Sequence, residues 1–101
     1  MTAMAADERL YIVAYDISDT RRWRRVFKTM NGYGEWIQLS VFQCRLTRRR
    51  RAELETRLRE LVKAGEDHAL IIDVGPADKI ALAVESIGKS FSHIERRATV
   101  I

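Results

Sequence analysis

Two aspartates at the end of an apolar run are the residues of this sequence best placed to do chemistry. The run from Leu10 to Tyr15 is followed directly by Asp16, and Asp19 comes three residues later. A buried strand fixes the carboxylate at its end, which suits a group that must hold a metal ion or a reactive atom. Asp19 fits a helix N-cap. Asp16 lies inside the strand pattern, where a carboxylate needs solvent, a partner or a cation.

The single well-placed carboxylate predicts a metal site that two subunits share. Mg²⁺ is often held by only one or two carboxylates, and waters and substrate phosphates complete its octahedron. A two-fold axis places the same residue of both subunits on either side of it. One Mg²⁺ bound by Asp16 of both protomers, with basic residues on either side, is therefore the predicted arrangement.

The sequence lacks the motifs of the common catalytic sites, namely G-x-S-x-G, a glycine-rich phosphate loop and H-E-x-x-H. We interpret His68 as a strand-start residue, His93 as a loop residue and Cys44 as a packing residue. A single cysteine permits no internal disulfide and favours the cytoplasm. The longest clean apolar run is too short to span a bilayer, which takes about 20 residues, so no membrane partner is expected.

The charge of the chain favours a polyanionic partner. The formal net charge is +4, and the excess is almost entirely arginine. Arginine binds phosphate in bidentate fashion, so clusters of it suggest a nucleic-acid partner, and a merely solvated face is the equally weighted alternative. Two clusters stand out, a row at helical spacing and a run at the start of a second helix: Arg21, Arg24, Arg25 and Lys28, and then Arg48–Arg51. The run opposes the helix dipole, which is compatible either with a function or with side chains that point into water.

Periodicity predicts strand, helix, one or two strands, helix and strand, in that order. The elements are a strand at Arg9–Ile17, a helix capped by Ser18 or Asp19 and ended by Gly32 and Gly34, an extended segment at Trp36–Leu46, a helix from Thr47 to about Ala64, and a strand at His68–Val74 ended by Gly75-Pro76. The stretch from Lys79 to Val84 fits a short helix or an edge strand equally. Residues 1–8 are expected to form a loose tail, and residues 95–101 a strand that pairs across a dimer.

This order predicts one α+β domain over residues 1–101. The expected fold is a ferredoxin-like β-α-β(β)-α-β sandwich, with one sheet, two helices on one face and the other face open for a partner. Side chains alternate along the segment Trp36–Leu46. The alternation predicts that one set faces the core, namely Ile37, Leu39 and Val41. The other set is predicted to lie on the open face, with the Phe42 ring exposed: Gln38, Ser40 and Phe42.

The residues around Asp16 resemble a known family. The pattern is Tyr15-Asp16-Ile17, Asp19, a basic helix with Arg25-Val26, Gly34, Gln38 and Ser40-Val41-Phe42. It is similar to the small CRISPR-associated endoribonuclease of spacer acquisition, the second of the two near-universal CRISPR-associated proteins. The resemblance is clear over residues 10–46 and looser beyond them. The sequence departs from the family pattern at Trp36, where members often have a basic residue, and at Trp23, which interrupts the basic helix.

The resemblance implies a homodimer whose two sheets face each other, with Asp16 as the catalytic and metal-binding acid at the interface. By position, Tyr15, Arg25, Ser40 and Phe42 would be accessory nucleic-acid-binding residues, and Arg21 and Arg22 of the same basic helix would help to position the strand. Members of the family act as magnesium-dependent nucleases on single-stranded RNA or double-stranded DNA. They also hold a DNA duplex for the CRISPR integrase. Two hypotheses are therefore open, a metal-dependent endonuclease and a non-catalytic DNA-binding scaffold.

Overall fold

A computed structural model describes residues 7–89, which form an α+β sandwich. Its elements are β1 (Arg9–Asp16), α1 (Thr20–Met30), β2 (Glu35–Gln38), β3 (Val41–Leu46), α2 (Arg48–Leu61) and β4 (His68–Pro76). The strands form one antiparallel sheet in the order β2-β3-β1-β4. This order confirms the ferredoxin-like prediction. Residues 1–6 of the expected tail and the expected strand at 95–101 lie outside the described residues.

Strand β1 is central, as its near-continuous apolarity predicts. It pairs with β3 on one side and with β4 on the other. Tyr11, Val13 and Tyr15 alternate along it and are buried against the helices. Because successive side chains of a strand point to opposite faces, Asp16 lies on the face that the helices leave open.

Both helices begin at the predicted caps and pack on the same face of the sheet. The Asp19 side chain accepts a hydrogen bond from the Arg22 backbone N–H at 3.0 Å, and Thr47 caps α2 in the same way. Buried residues of α1 and α2 then meet the inward side chains of β1 and β3 in one core: Val26, Met30, Leu54 and Leu58 from the helices, with Tyr11, Val13, Tyr15, Phe42, Cys44 and Leu46 from the strands.

The predicted inside and outside sets of the segment Trp36–Leu46 are wrong at Leu39 and Phe42, whereas Gln38 is exposed as predicted. Phe42, expected to be an exposed ring, is fully buried, whereas Leu39, expected in the core, is 72% exposed. The segment is two strands joined by a turn at Leu39 and Ser40, and the backbone of Leu39 has φ 41. Because of the turn and the register shift beside it, the inward and outward side chains of β3 alternate in the opposite phase to those of β2.

The end of β4 also differs from the prediction. The strand runs through Gly75 to Pro76, because Pro76 lies at the end of an edge strand, where the missing N–H is tolerated. The following stretch from Lys79 to Val84 is neither helix nor strand. The guanidinium of Arg45 donates to the carbonyls of Ala77 at 3.1 Å and Ile80 at 3.4 Å, which holds this stretch close to the sheet.

A buried carboxylate ties together the two loops at the Asp16 end of the sheet. Asp67, in the loop between α2 and β4, has no exposed side-chain surface. It accepts hydrogen bonds from the Arg22 Nε at 2.7 Å, the Lys63 N–H at 2.8 Å and the Ser18 N–H at 3.0 Å. The hydrogen bond from Arg22 is the main reason why the pKa of Asp67 lies well below its ordinary value. The carboxylate is therefore ionised at neutral pH and joins the β1–α1 loop to the α2–β4 loop.

We expect Asp67→Asn to lower the thermal midpoint by at least about 4–8 °C more than Asp73→Asn does, as measured by circular dichroism at pH 7. Asp73 is the matched control, because its ion pair with Arg9 is half-exposed and such pairs contribute at most about 1 kcal/mol. A lowered folded-state pKa means that the stabilisation is complete above the unfolded-state value, near 4, and is lost as the pH falls towards the folded value. The difference between wild type and Asp67→Asn should therefore shrink near pH 3, and equal losses for the two variants at pH 7 would contradict this account.

Candidate functional site

Asp16 lies at the end of the central strand, as the sequence predicts, and its side chain is exposed. Within residues 7–89 its side chain takes part in no hydrogen bond or ion pair of the structure. It lies at the edge of the open face of the sheet, which continues along β1 through Ile12 and Ala14. The carboxylate is thus available to a cation or to a partner molecule.

The open face beside Asp16 is apolar. In the ladder of β1 with β4, Ile12 is opposite Ile72 and Ala14 is opposite Leu70. Leu70 is 50% exposed and Ile72 is 47% exposed. Exposed apolar side chains that lie together on one face are typical of a protein interaction surface. The candidate acid therefore lies at the end of a surface suited to a partner.

Tyr15 holds the backbone next to Asp16 in place. Its N–H donates to the Ser40 carbonyl at 3.1 Å, and its ring packs near the rings of Trp23 and Phe42. The Tyr15 hydroxyl is buried without a hydrogen-bond partner in residues 7–89. Burial raises the pKa of this hydroxyl, so it is neutral at physiological pH.

Ser40 and Phe42 lie beneath the site rather than on its surface. The Ser40 hydroxyl accepts a hydrogen bond from the Trp23 indole N–H at 2.8 Å, which links the β2–β3 turn to α1. Phe42 is fully buried and packs edge-on against Phe27. The Phe42 ring has no exposed surface with which to contact a nucleic acid, so its contribution is to support the strand that carries the turn.

The arginines of α1 divide into two groups. Arg22 is committed to Asp67 and Glu66 by ion pairs of 2.7 and 3.2 Å. Arg21, Arg24 and Arg25 are exposed and belong to no ion pair within the described part of the chain. These exposed arginines are therefore available to bind phosphate, whereas Arg22 acts within the fold.

The donors at this end of the sheet fit a magnesium ion only if two subunits contribute. Asp19 is occupied as a helix cap, and the backbone hydrogen bond from Arg22 lowers its pKa. Asp67 is buried in its own network. Among residues 7–89 no group of three or more histidine, cysteine, aspartate or glutamate side chains can hold a metal ion. Asp16 therefore offers one ligand per protomer, which matches the sparse protein ligation that Mg²⁺ accepts.

The sequence does not reveal that His68 is the direct cross-strand partner of Asp16. Both residues are exposed. The only sequence signal was the position of His68 at the start of a strand, since the pairing depends on strand register. Cys44, in contrast, is the predicted packing residue: it is fully buried, and burial raises the pKa of its thiol to about 12.

The arginine run at the start of α2 lies at the other end of the sheet. The Arg50 guanidinium lies 4.2 Å from the centre of the Tyr33 ring and donates to the Gly32 carbonyl. Arg51 forms an ion pair with Glu55. These two arginines therefore have structural roles within the fold, at a distance from the candidate acid.

Known proteins share both the sequence and the fold. The family model described as CRISPR associated protein Cas2 matches residues 9–79. The chain is 55% identical over 94 residues to the CRISPR-associated endoribonuclease Cas2 1 of Rhodospirillum rubrum. This alignment covers 93% of this chain and 92% of that relative. It is also 55% identical to the CRISPR-associated endoribonuclease Cas2 of Geobacter sulfurreducens, with 93% of this chain and 99% of that relative covered.

A solved crystal structure of a Cas2 protein superposes on this chain with a TM-score of 0.69 and 34% sequence identity. The superposition covers 87% of this chain and 98% of that one. Within residues 7–89, none of the helices has the length and apolarity required to cross a membrane. The extent of these matches means that the chain belongs to the CRISPR associated protein Cas2 family.

Proposed function

We propose that this protein is a CRISPR endonuclease that acts as a homodimer, with Asp16 of each protomer holding one shared Mg²⁺. The observation that carries the proposal is an exposed carboxylate, fixed at the end of the central strand, at the edge of an exposed apolar sheet face. Pairing two such faces around a two-fold axis would bury the apolar residues and bring the two aspartates together. The relatives named as endoribonucleases make RNA the first substrate class to test. The two substrates that we propose are single-stranded RNA and double-stranded DNA.

Each residue of the site would have a distinct role. Asp16 would hold the cation, and bound there Mg²⁺ would supply Lewis-acid activation of water and neutralise charge on the phosphate. Arg21 and Arg25 would position the sugar–phosphate backbone. Tyr15, Ser40 and Phe42 would keep the end of β1 rigid through their hydrogen bonds and packing. Arg22 would act indirectly, by holding the loop that follows Asp16.

A second candidate function is a scaffold that grips duplex DNA for the CRISPR integrase during spacer acquisition. It is favoured by the small number of metal ligands among residues 7–89, since many nucleases use two metal ions and more carboxylates. Exposed arginines bind the DNA backbone without reading sequence, which suits a scaffold. For either function we propose a cytoplasmic location, which agrees with a single, buried, reduced cysteine.

We expect Asp16→Ala to abolish magnesium-dependent cleavage while leaving the fold and the dimer intact, because the Asp16 side chain is exposed and forms no hydrogen bond or ion pair in the described residues. The measurement is cleavage of single-stranded RNA and of duplex DNA by wild type and variant, with magnesium and with EDTA. Asp78→Ala, which removes another exposed carboxylate, is the control and should cut like wild type. Wild-type activity no higher than that of Asp16→Ala would reject the nuclease and leave the scaffold as the function.

We expect Arg25→Gln to weaken binding of duplex DNA and to lower the slope of log affinity against log salt by about 0.9, the value for one lost phosphate contact. Arg57→Gln is the matched control, since Arg57 is also exposed and without an ion pair in the described residues but lies on α2. Fluorescence anisotropy over a range of salt concentrations gives both slopes. Identical slopes for wild type and Arg25→Gln would exclude Arg25 from the binding surface.

A further inference from the structure

We infer that His68 and Asp16 form a mixed imidazole–carboxylate site, which binds borderline divalent transition ions such as Co²⁺ and Ni²⁺ in addition to Mg²⁺. The inference rests on the proposed function, because the second pair of ligands comes from the other protomer of the dimer. It extends that function by assigning a ligand, His68, and a class of metal ion to the site.

The strand register brings the two side chains together. Asp16 and His68 are paired residues at the end of the β1–β4 ladder. Side chains directly opposite each other in an antiparallel pair point to the same face, with Cβ atoms about 4.5–5.5 Å apart. Both residues are exposed, and no hydrogen bond or ion pair within residues 7–89 joins them. One cation about 2.0–2.2 Å from each ligand atom can be reached by both side chains.

The backbone on both sides of this pair is held in place. Asp67 directly precedes His68, and its buried carboxylate accepts hydrogen bonds from the Ser18 N–H at 3.0 Å and the Lys63 N–H at 2.8 Å. On the other strand, the Tyr15 N–H donates to the Ser40 carbonyl. A pair of ligands fixed in this way loses little conformational freedom when it binds a metal ion.

The ligand chemistry selects the ion. One protomer offers two ligands, and a two-fold pair offers two carboxylates and two imidazoles. Carboxylates suit Mg²⁺, Ca²⁺ and Mn²⁺, whereas imidazole suits zinc, copper, iron and nickel, and affinity rises from Mn²⁺ through Co²⁺ to Ni²⁺. His68 should therefore strengthen the binding of Co²⁺ and Ni²⁺ while contributing little to the binding of Mg²⁺.

The test is calorimetric titration of Co²⁺ and of Mg²⁺ into the full-length dimer, with cobalt absorption in the visible range as a second readout. Four proteins are compared: wild type, His68→Thr, Asp16→Asn, and His93→Thr as the matched histidine control. We expect His68→Thr to weaken Co²⁺ binding by at least about tenfold and to leave Mg²⁺ binding unchanged. Asp16→Asn should weaken binding of both ions, and His93→Thr should match wild type.

Wild-type Co²⁺ affinity in His68→Thr would overturn the inference, while Mg²⁺ binding that depends on Asp16 would still support the proposed function. Conversely, Co²⁺ binding that needs His68, in a protein that fails to bind Mg²⁺, would reject the magnesium site of the proposed function and keep the assignment of His68 as a ligand of transition ions. If His68→Thr does not fold or dimerise, the wild-type protein gives the answer by NMR. Substoichiometric Ni²⁺ should then broaden the His68 imidazole resonances before those of His93, and the reverse order would overturn the inference.

Discussion

The structure depends on the burial of one side of the central strand. Tyr11, Val13 and Tyr15 are committed to the core beneath the helices, and a register slip of one residue would exchange them with the side chains of the open face. The same constraint directs Asp16 away from the core. No additional contact is needed to direct Asp16 towards the open face, because the packing of the apolar residues of the same strand already does so.

The loops at the end of the strand are held by electrostatics rather than by apolar packing. The Asp67 side chain has no solvent-exposed surface. Its lost hydration is compensated by hydrogen bonds from the Arg22 guanidinium and from backbone N–H groups of both loops. A buried carboxylate is tolerated only when its hydrogen bonds are this complete. The basic helix therefore contributes in two ways, since one arginine completes the fold and its exposed neighbours remain available to a ligand.

The sequence allowed the local features to be predicted, but not those that depend on register. The caps at Asp19 and Thr47 and the central position of β1 follow from short patterns that need no knowledge of the rest of the chain. The phase of Phe42 was wrong because the turn before it uses a leucine with positive φ, which no residue preference predicts.

Long-range pairings were beyond sequence reasoning for the same reason. The contact of Arg22 with Asp67 spans 45 residues. The alignment of His68 with Asp16 lies in a ladder that also contains a register shift at Leu10 and Tyr11.

The internal ion pairs change how the net charge of +4 should be understood. Cations that are neutralised locally contribute little at a distance. The exposed arginines of α1 that form no ion pair within residues 7–89 give that side of the molecule a concentrated positive field. An approaching polyanion would therefore be drawn in and rotated towards α1 before any contact forms, so the rate of encounter, and not only the affinity, depends on which arginines the fold leaves unpaired.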